Sequence, residues 1–373
     1  MDIVIIGGGF AGIAAASQLL RSKKDLNITL INRYEYTQFR PLFPDIISRS
    51  VAVSYLCYPL SRLGNRLSFR FIQGNADRVD TIRNTVIMKN SKTVSYDFLI
   101  VATGSETPVP GKIKKSDIVN TLDTINDSQH ITDTLHSGAY QNYVVCGGGY
   151  TGIETASHIR KGLNRYNQKG NVIIVELGET ILSNLPEWMR VYTTVNCDRL
   201  GIEIKTKNKI TSIDNRDIIL SDNTKITNAL LIWSTGLNAV FPQIDPLITL
   251  GERNRIKVKD DLRVFDNVFA VGDCACSSSD TGCFRMSVQS SITSGVFAAN
   301  NIIALIHGNE TNSFHVTDPG FIVPMANWYS CGKVFGKNIQ GEKATLLHYL
   351  MSVYRSYGLK NRIMVMMNEL HYK

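Results

Sequence analysis

No stretch of this chain approaches the ~18 uninterrupted apolar residues that a membrane-crossing helix needs, so no helical span is expected. Low-complexity tracts and runs of like charge are missing too, as in an ordinary globular protein. Met1 and Asp2 lead straight into an apolar strand, so neither a secretory leader nor a transit peptide is expected. Cysteine is scarce and odd in number: Cys57, Cys146, Cys197, Cys274, Cys276, Cys283 and Cys331. With no leader and no C-x-x-C spacing, disulfides are not expected, and Cys274, Cys276 and Cys283 make a poor metal set. Simple thiols, buried or partly exposed, are the expectation, and no metal site is assigned.

What is present is ordinary in bulk and uneven in detail. At 373 residues, 43% hydrophobic and 19% charged, the chain suits a soluble globular protein of two or three domains. The net charge of +8 gathers toward one end. From residue 333 onward, Lys333, Lys337, Lys343, Arg355, Lys360, Arg362 and Lys373 face only Glu342 and Glu369. That asymmetry points to an anionic partner for the tail, either a nucleic acid or a membrane surface.

The informative feature is a repetition. "DIVIIGGGFAGIAAA" opens the chain at 2–16, and "VVCGGGYTGIETA" follows at 144–156. Each is a β-branched run, then G-x-G-x-x-G, then a small-residue helix. A strand–turn–helix of this make offers free N–H groups and the positive end of the helix dipole to a pyrophosphate. The first cradle comprises Gly7, Gly9, Phe10, Ala11 and Gly12; the second comprises Gly147, Gly149, Tyr150, Thr151 and Gly152. Each unit's second strand should end in a ribose-binding group. In "NVIIVE" that group is Glu176, a carboxylate that accepts from both ribose hydroxyls and disfavours a 2′-phosphate. In "NITLIN" Asn32 takes the place, an uncharged acceptor, with Glu35 in the following loop as a substitute. Arg33 is available to stack on adenine or reach a phosphate.

The duplication continues downstream, where "YDFLIVATG" closes at Ala102, Thr103 and Gly104, and "NALLIWSTG" closes at Gly236. Two dinucleotide-binding domains side by side imply electron transfer between two nucleotides. A last apolar strand, "NVFAVGD", delivers Asp273, an acid placed to bind flavin ribityl hydroxyls. A helix then starts near Val288 with Gln289 and Ser290, and its N-terminus can stabilise charge developing on a reduced flavin.

Taken together, these residues resemble the two-dinucleotide-binding-domain flavoprotein disulfide reductases, and within them the type II NADH:quinone oxidoreductases. The resemblance runs over residues 1–310 through both cradles, "INRYEYTQFRPLFPDI", "VATGS", "ILSNLPEW", "LIWSTG", "NVFAVGDCA" and "VQSSITSGVFAANNI". It implies FAD on the first cradle, with Ala76, Thr103 and Gly104 nearby, and NADH on the second with Glu176. It also implies a role for Glu154 where nicotinamide and flavin meet, as an orienting group or proton relay. A glutamate early in a helix is equally favoured by the dipole alone. The family's A-Q-x-x-x-Q reads here Val288 to Thr293: Gln289 is kept and Thr293 replaces the second glutamine.

The fold expected is therefore α/β, with two Rossmann-like domains: FAD-binding 1–110 and 237–316, NADH-binding 111–236, and a C-terminal segment 317–373. The expected reaction passes electrons from NADH through FAD to a membrane quinone without proton pumping. Glutathione-reductase-like chemistry is excluded, because no C-x-x-x-x-C pair exists. A sulfide:quinone oxidoreductase would have to use Cys146 and Cys331. An apoptosis-inducing-factor-like NADH-binding flavoprotein is the other alternative. In the tail Leu346, Leu347, Leu350, Val353, Tyr354 and Tyr357 recur at helical spacing. That stripe suits an interfacial helix, placing the protein peripherally on the cytoplasmic side of a membrane, or packing within a homodimer. No aromatic–basic platform supports a nucleic-acid partner.

Overall fold

A computed structural model describes residues 1–22, 25–49, 52–111, 113, 118–277, 283–315 and 319–371. Residues 278–282 of the Cys274–Cys283 loop, the 316/317 boundary and Lys373 lie outside them. The chain forms two compact units: Met1–Thr37, Tyr58–Glu106 and Leu237–Asp318 in the first; Gln38–Cys57, Thr107–Gly236 and Pro319–Lys373 in the second.

The first unit is built on a six-stranded sheet in which Asp2–Ile6 lies between Phe98–Val101 and Asn27–Asn32, parallel to both. Arg70–Gln73 extends one side in parallel, and Val268–Ala270 the other. Only the edge strand Arg263–Phe265 runs antiparallel. Ile3, Val4, Ile5 and Ile6 are all buried, as a strand covered on both faces requires. The helix Phe10–Arg21 buries Ala11, Gly12, Ala15 and Ala16, and small residues there let a second helix come close. That helix is Val288–Ile306, whose Gly295 sits so near that a Cβ would lie 2.2 Å from the Ala11 carbonyl oxygen.

The second unit repeats the plan. Its five-stranded sheet is wholly parallel, in the order Val119–Asn120, Ala229–Trp233, Asn142–Cys146, Asn171–Val175, Ile202–Lys205. Its cradle strand too lies between the strand that leads to Glu176 and the strand Ala229–Trp233, which precedes a Thr-Gly pair. The same element order with unrelated core residues is what an internal duplication predicts.

Residues 38–57 and 319–373 join the second unit through specific bonds. Ala326 N–H donates to Ser157 Oγ at 2.9 Å, Tyr349 Oη to Asp45 Oδ1 at 2.9 Å, and Asn361 Nδ2 to the Cys57 carbonyl at 2.9 Å. A three-stranded antiparallel sheet, Gly320–Val323, Cys331–Val334 and Lys337–Gln340, leads into helices Glu342–Arg355 and Leu359–His371. The first of these helices is turned opposite to an ordinary surface helix. It buries Ala344, Thr345, Tyr349 and Ser352, while Leu346, Leu350 and Tyr354 are 53%, 56% and 71% exposed.

Candidate functional site

Each cradle is a strand end, a glycine turn and a helix start, and each is best understood by what its backbone forbids. In the first, Gly7 has φ +114°, and a Cβ on Gly12 would sit 1.9 Å from the Gly7 carbonyl oxygen. In the second, Gly147 has φ +110°, and Gly152 stands 1.9 Å from the Gly147 oxygen by the same measure. Only glycine satisfies a left-handed turn pressed against the next helix. By contrast, nothing lies within 4 Å of where a Cβ on Gly9 or Gly149 would be, so both cradles are open on that side.

The helix starts are left open as well. Helices Phe10–Arg21 and Tyr150–Arg165 have no side-chain cap and no acid in the first turn. The Ile125–Ser137 helix shows the contrast, with Thr124 and Asp127 forming a full capping box. An uncapped N-terminus at an open glycine turn fits a phosphate group, which would take the place of the missing cap.

Asn32 and Glu176 occupy matching places. Gly8 N–H donates to Asn32 Oδ1 at 2.9 Å, and Gly148 N–H to Glu176 Oε2 at 2.6 Å. Glu176 Oε1 accepts a second bond from Gly178 N–H at 2.7 Å. Asn32 Nδ2 instead donates to the Tyr34 carbonyl at 2.9 Å. Glu35 is exposed, and its main-chain carbonyl accepts from Leu60 N–H at 2.9 Å. Arg33 pairs with Glu106 and lies over the Tyr34 ring at 4.8 Å, so its charge is already partnered.

Other first-unit residues gather around the same sheet end. Ala102 N–H bonds the Ile6 carbonyl at 2.8 Å, which places Thr103 and Gly104 directly past the cradle strand. Asp273 follows Gly272, and its carboxylate accepts from Ser105 Oγ at 3.0 Å and Ser291 Oγ at 3.4 Å. Gly272 N–H donates to Ser294 Oγ at 3.0 Å. Ser105, Ser291 and Ser294 were not singled out from the sequence, where scattered serines carry no signal. Gln289 and Ser290 stand in the first turn of Val288–Ile306, capped by Ser287 Oγ accepting from Ser290 N–H at 3.1 Å. Thr293 spends its hydroxyl on the Gln289 carbonyl at 2.9 Å, so it does not imitate a glutamine amide. Ala76 opens the strand Ala76–Asp80 of a separate four-stranded sheet.

In the second unit Tyr150 sets its ring edge-on to Phe321 at 5.8 Å, Thr151 is exposed, and Gly236, with φ +67°, follows the strand Ala229–Trp233. Glu154 lies beyond the first turn of its helix, so the dipole does not account for it. Its Oε1 is buried and makes no hydrogen bond. Burial, and then the charge of Asp45, hold its carboxyl well above the usual range.

The cysteine expectation needs correction. Cys276 and Cys283 form a disulfide, with Cα atoms 4.6 Å apart. Strand Ala275–Ser277 fixes Cys276 beside Ile256–Val258, and the chain returns within seven residues, a closure that parity and motif counting do not detect. The remaining five are free thiols. Burial pushes Cys146 up to about 12, with Glu176 adding to it, and raises Cys331, whose Sγ contacts Thr193 Oγ1 at 3.6 Å. Neither is a ready nucleophile.

Residues 1–300 match the pyridine nucleotide-disulphide oxidoreductase family. The chain belongs to that family. Among the family's curated members it is 26% identical to the type II NADH:quinone oxidoreductase of Haemophilus influenzae, over 95% of this chain and 93% of that protein. It is 22% identical to the same-named protein of Staphylococcus saprophyticus, over 92% of each. Its fold is similar to that of NDH2 from Plasmodium falciparum in complex with NADH, with a TM-score of 0.86, 17% identity, and coverage of 99% of this chain and 97% of that one. It is also similar to the sulfide:quinone oxidoreductase of Aquifex aeolicus, with a TM-score of 0.82, 18% identity, and coverage of 97% and 92%. This pyridine nucleotide-disulphide oxidoreductase carries its disulfide, among the described residues, at Cys276–Cys283, without the C-x-x-x-x-C spacing of the disulfide reductases.

The thiol assignment is directly testable. Because Cys146 and Cys197 are both pushed up to about 12 by burial, they stay protonated and covered near neutrality. An alkylating reagent at pH 8 should leave both unmodified in the folded protein and modify both after denaturation, as read by peptide mass spectrometry. Rapid native-state labelling of Cys146 would contradict this.

Proposed function

We propose that the protein is an FAD-dependent NADH:quinone oxidoreductase that passes electrons to a membrane quinone without pumping protons. The observation that carries the reading is the pair of open, uncapped cradles of identical make, one closed by an amide and the other by a carboxylate. The type II NADH:quinone oxidoreductase relatives, aligned along nearly the whole chain, support it.

The first cradle, with Gly7, Gly9, Phe10, Ala11, Gly12, Asn32, Arg33, Ala76, Ala102, Thr103, Gly104 and Asp273, would hold FAD. FAD, when bound, supplies a carrier that takes a hydride and passes on its two electrons. Asp273 is held in place by two serine hydroxyls and would orient the ribityl chain. Gln289 and Ser290, in the first turn of their helix, would place its positive end toward the flavin. The second cradle, with Gly147, Gly149, Tyr150, Thr151, Gly152 and Gly236, would hold NADH. Glu176 would accept from the adenosine ribose and repel a 2′-phosphate. Glu154 would serve the nicotinamide end.

A sulfide enzyme would need reactive thiols, and Cys146 and Cys331 are buried with raised pKa values. The tail fits a lipid surface. Leu346, Leu350 and Tyr354 on one helix, and Leu359, Ile363, Met366 and Met367 on the next, are exposed beside Lys343, Lys360 and Arg362. No described helix is long and apolar enough to cross a membrane, so the attachment would be peripheral. The face would be the cytoplasmic one, where NADH is available.

Stopped-flow spectroscopy on the purified yellow protein tests the reaction. NADH should bleach the flavin within the dead time or shortly after it, and a soluble quinone should restore the colour; sulfide should do neither. A long-lived reduced complex that quinone does not reoxidise would favour an NADH-binding flavoprotein instead. Glu176→Gln should raise KM for NADH about ten-fold, the cost of one charged hydrogen bond, and narrow the preference over NADPH. Equal wild-type kinetics with both cofactors would count against the assignment of Glu176. Replacing Leu346, Leu350 and Tyr354 together by serine should release the protein from anionic vesicles in a sedimentation assay while leaving flavin content intact. Undiminished sedimentation would place the attachment elsewhere.

A further inference from the structure

One buried cluster, wholly within the second unit, is not accounted for by the glycine turns. Glu154 and His158 stand one helical turn apart on Tyr150–Arg165, so their side chains leave the same face. Asp45 meets them from the helix Phe43–Arg49. The two helices come this close because Gly162 lies against the Ile47 carbonyl, where a Cβ would be 2.8 Å from the oxygen. Two carboxylate oxygens and a ring nitrogen, one atom from each residue, then lie within 4.8 Å of one another.

The pocket is dry and rich in acceptors. Asp45 and His158 are each 1% exposed, and Glu154 Oε1 is buried and makes no hydrogen bond. Burial, then the charge of Asp45, raise the Glu154 carboxyl, the response of an acid with no cation to balance it. Buried carboxylates are stabilised by pairing or by coordinating a metal ion. A divalent cation here would balance both acids and occupy the unbonded oxygen.

The outer partners are those of a metal centre. Ser48 Oγ meets His158 Nδ1 at 2.6 Å, and Arg165 Nη1 donates to the Ser48 carbonyl at 3.2 Å. Tyr349 Oη donates to Asp45 Oδ1 at 2.9 Å. A metal-bound imidazole donates its other N–H to an oxygen, and ligating carboxylates are themselves hydrogen-bonded. With Nδ1–H donating to Ser48, Nε2 carries a lone pair toward the two acids. One imidazole and two carboxylates suit zinc better than calcium or magnesium, which prefer oxygen ligands throughout. A tetrahedral ion about 2.1 Å from each ligand sets them about 3.4 Å apart, so each atom need move less than about 1 Å.

We propose that Asp45, Glu154 and His158 are the protein ligands of one zinc ion. His158 binds through Nε2 and each acid through a carboxylate oxygen. The ion clips the helix Phe43–Arg49, far away in sequence, onto the helix Tyr150–Arg165, and it moves no electrons. Coordination by one oxygen of Glu154 leaves the other for the nicotinamide end. Ser48 and Tyr349 are positioning residues that aim the ligands. The site goes beyond the reading of the protein as an NADH:quinone oxidoreductase and does not rest on it.

Metal binding to the full-length, flavin-loaded protein tests the site. After dialysis against a chelator, one equivalent of zinc per chain should be retained through gel filtration, as measured by elemental mass spectrometry. Zinc-edge X-ray absorption should show nitrogen and oxygen neighbours at about 2.0–2.1 Å and no sulfur. Zinc should raise the melting temperature of wild type but not of His158→Gln. Competition with a chromophoric chelator should show affinity lowered more than about a hundred-fold in His158→Gln, and about 10–100-fold in Ser48→Ala, which keeps all three ligands. Flavin content reports whether each variant is folded. If His158→Gln fails to fold, Ser48→Ala decides: weakened binding supports the site and unchanged affinity overturns it. Absence of stoichiometric zinc, sulfur in the first shell, or undiminished binding in folded His158→Gln would each overturn it. Because none of these readouts requires a quinone, the site and the proposed reaction stand or fall separately.

Discussion

The constraint on which both units depend is a contact between a carbonyl oxygen and a glycine Cα. The oxygens of Gly7 and Gly147 press against Gly12 and Gly152 so closely that any side chain there would overlap them. That contact joins strand to helix through a tight turn whose N-cap residues, Gly9 and Gly149, have no side chain to cap with. An N-cap is worth about 1 kcal/mol to a helix, and both cradle helices forgo it. The open N–H groups are therefore stabilised best when an anion supplies what the chain does not. Binding capacity in each unit is thus a consequence of how the first strand meets the first helix.

The two cradles differ mainly in one side chain, and its chemistry follows from its hydrogen bonds. Glu176 accepts from Gly148 and Gly178, so both its oxygens act as acceptors and no donor is required. Asn32 accepts from Gly8 but also donates to the Tyr34 carbonyl, which a carboxylate could not do. An amide is thus matched to a site that must hold the following loop, and an acid to a site with only N–H neighbours. The absence of an acid at residue 32 reflects a different local network.

The cradles were legible in the sequence because glycine spacing, β-branched runs and terminal Asn32 and Glu176 all lie within thirty or so residues of one another. The parallel sheets followed from the same pattern. The disulfide was not legible, since nothing local distinguishes Cys276 and Cys283 from other scattered thiols. Nor was the Asp45–Glu154–His158 cluster, whose members are brought together by a helix contact between segments more than a hundred positions apart. Periodicity detected a two-faced tail helix but could not say which face turns inward. Thr345, Ser352 and Ser356 are buried because each hydroxyl finds a partner, at Ser330 Oγ, the His348 carbonyl and the Ser352 carbonyl. Satisfied hydroxyls cost little to bury, so the polar face could go inside.

That inversion has a consequence beyond the tail. The helix Glu342–Arg355 carries Tyr349 on its buried side, bonded to Asp45, and Leu346 and Leu350 on its exposed side. Covering those leucines is worth roughly 1.5–3 kcal/mol for each one fully buried, so a lipid surface would hold this helix more firmly than water does. Its inner face would be held with it. A helix that frays or tilts in solution weakens the hydroxyl that steadies Asp45, and with it the arrangement around Glu154. The exposed leucines and the hydroxyl that holds Asp45 are on opposite faces of a single helix. Covering the outer face and ordering Asp45 are for that reason linked through the rigidity of that helix.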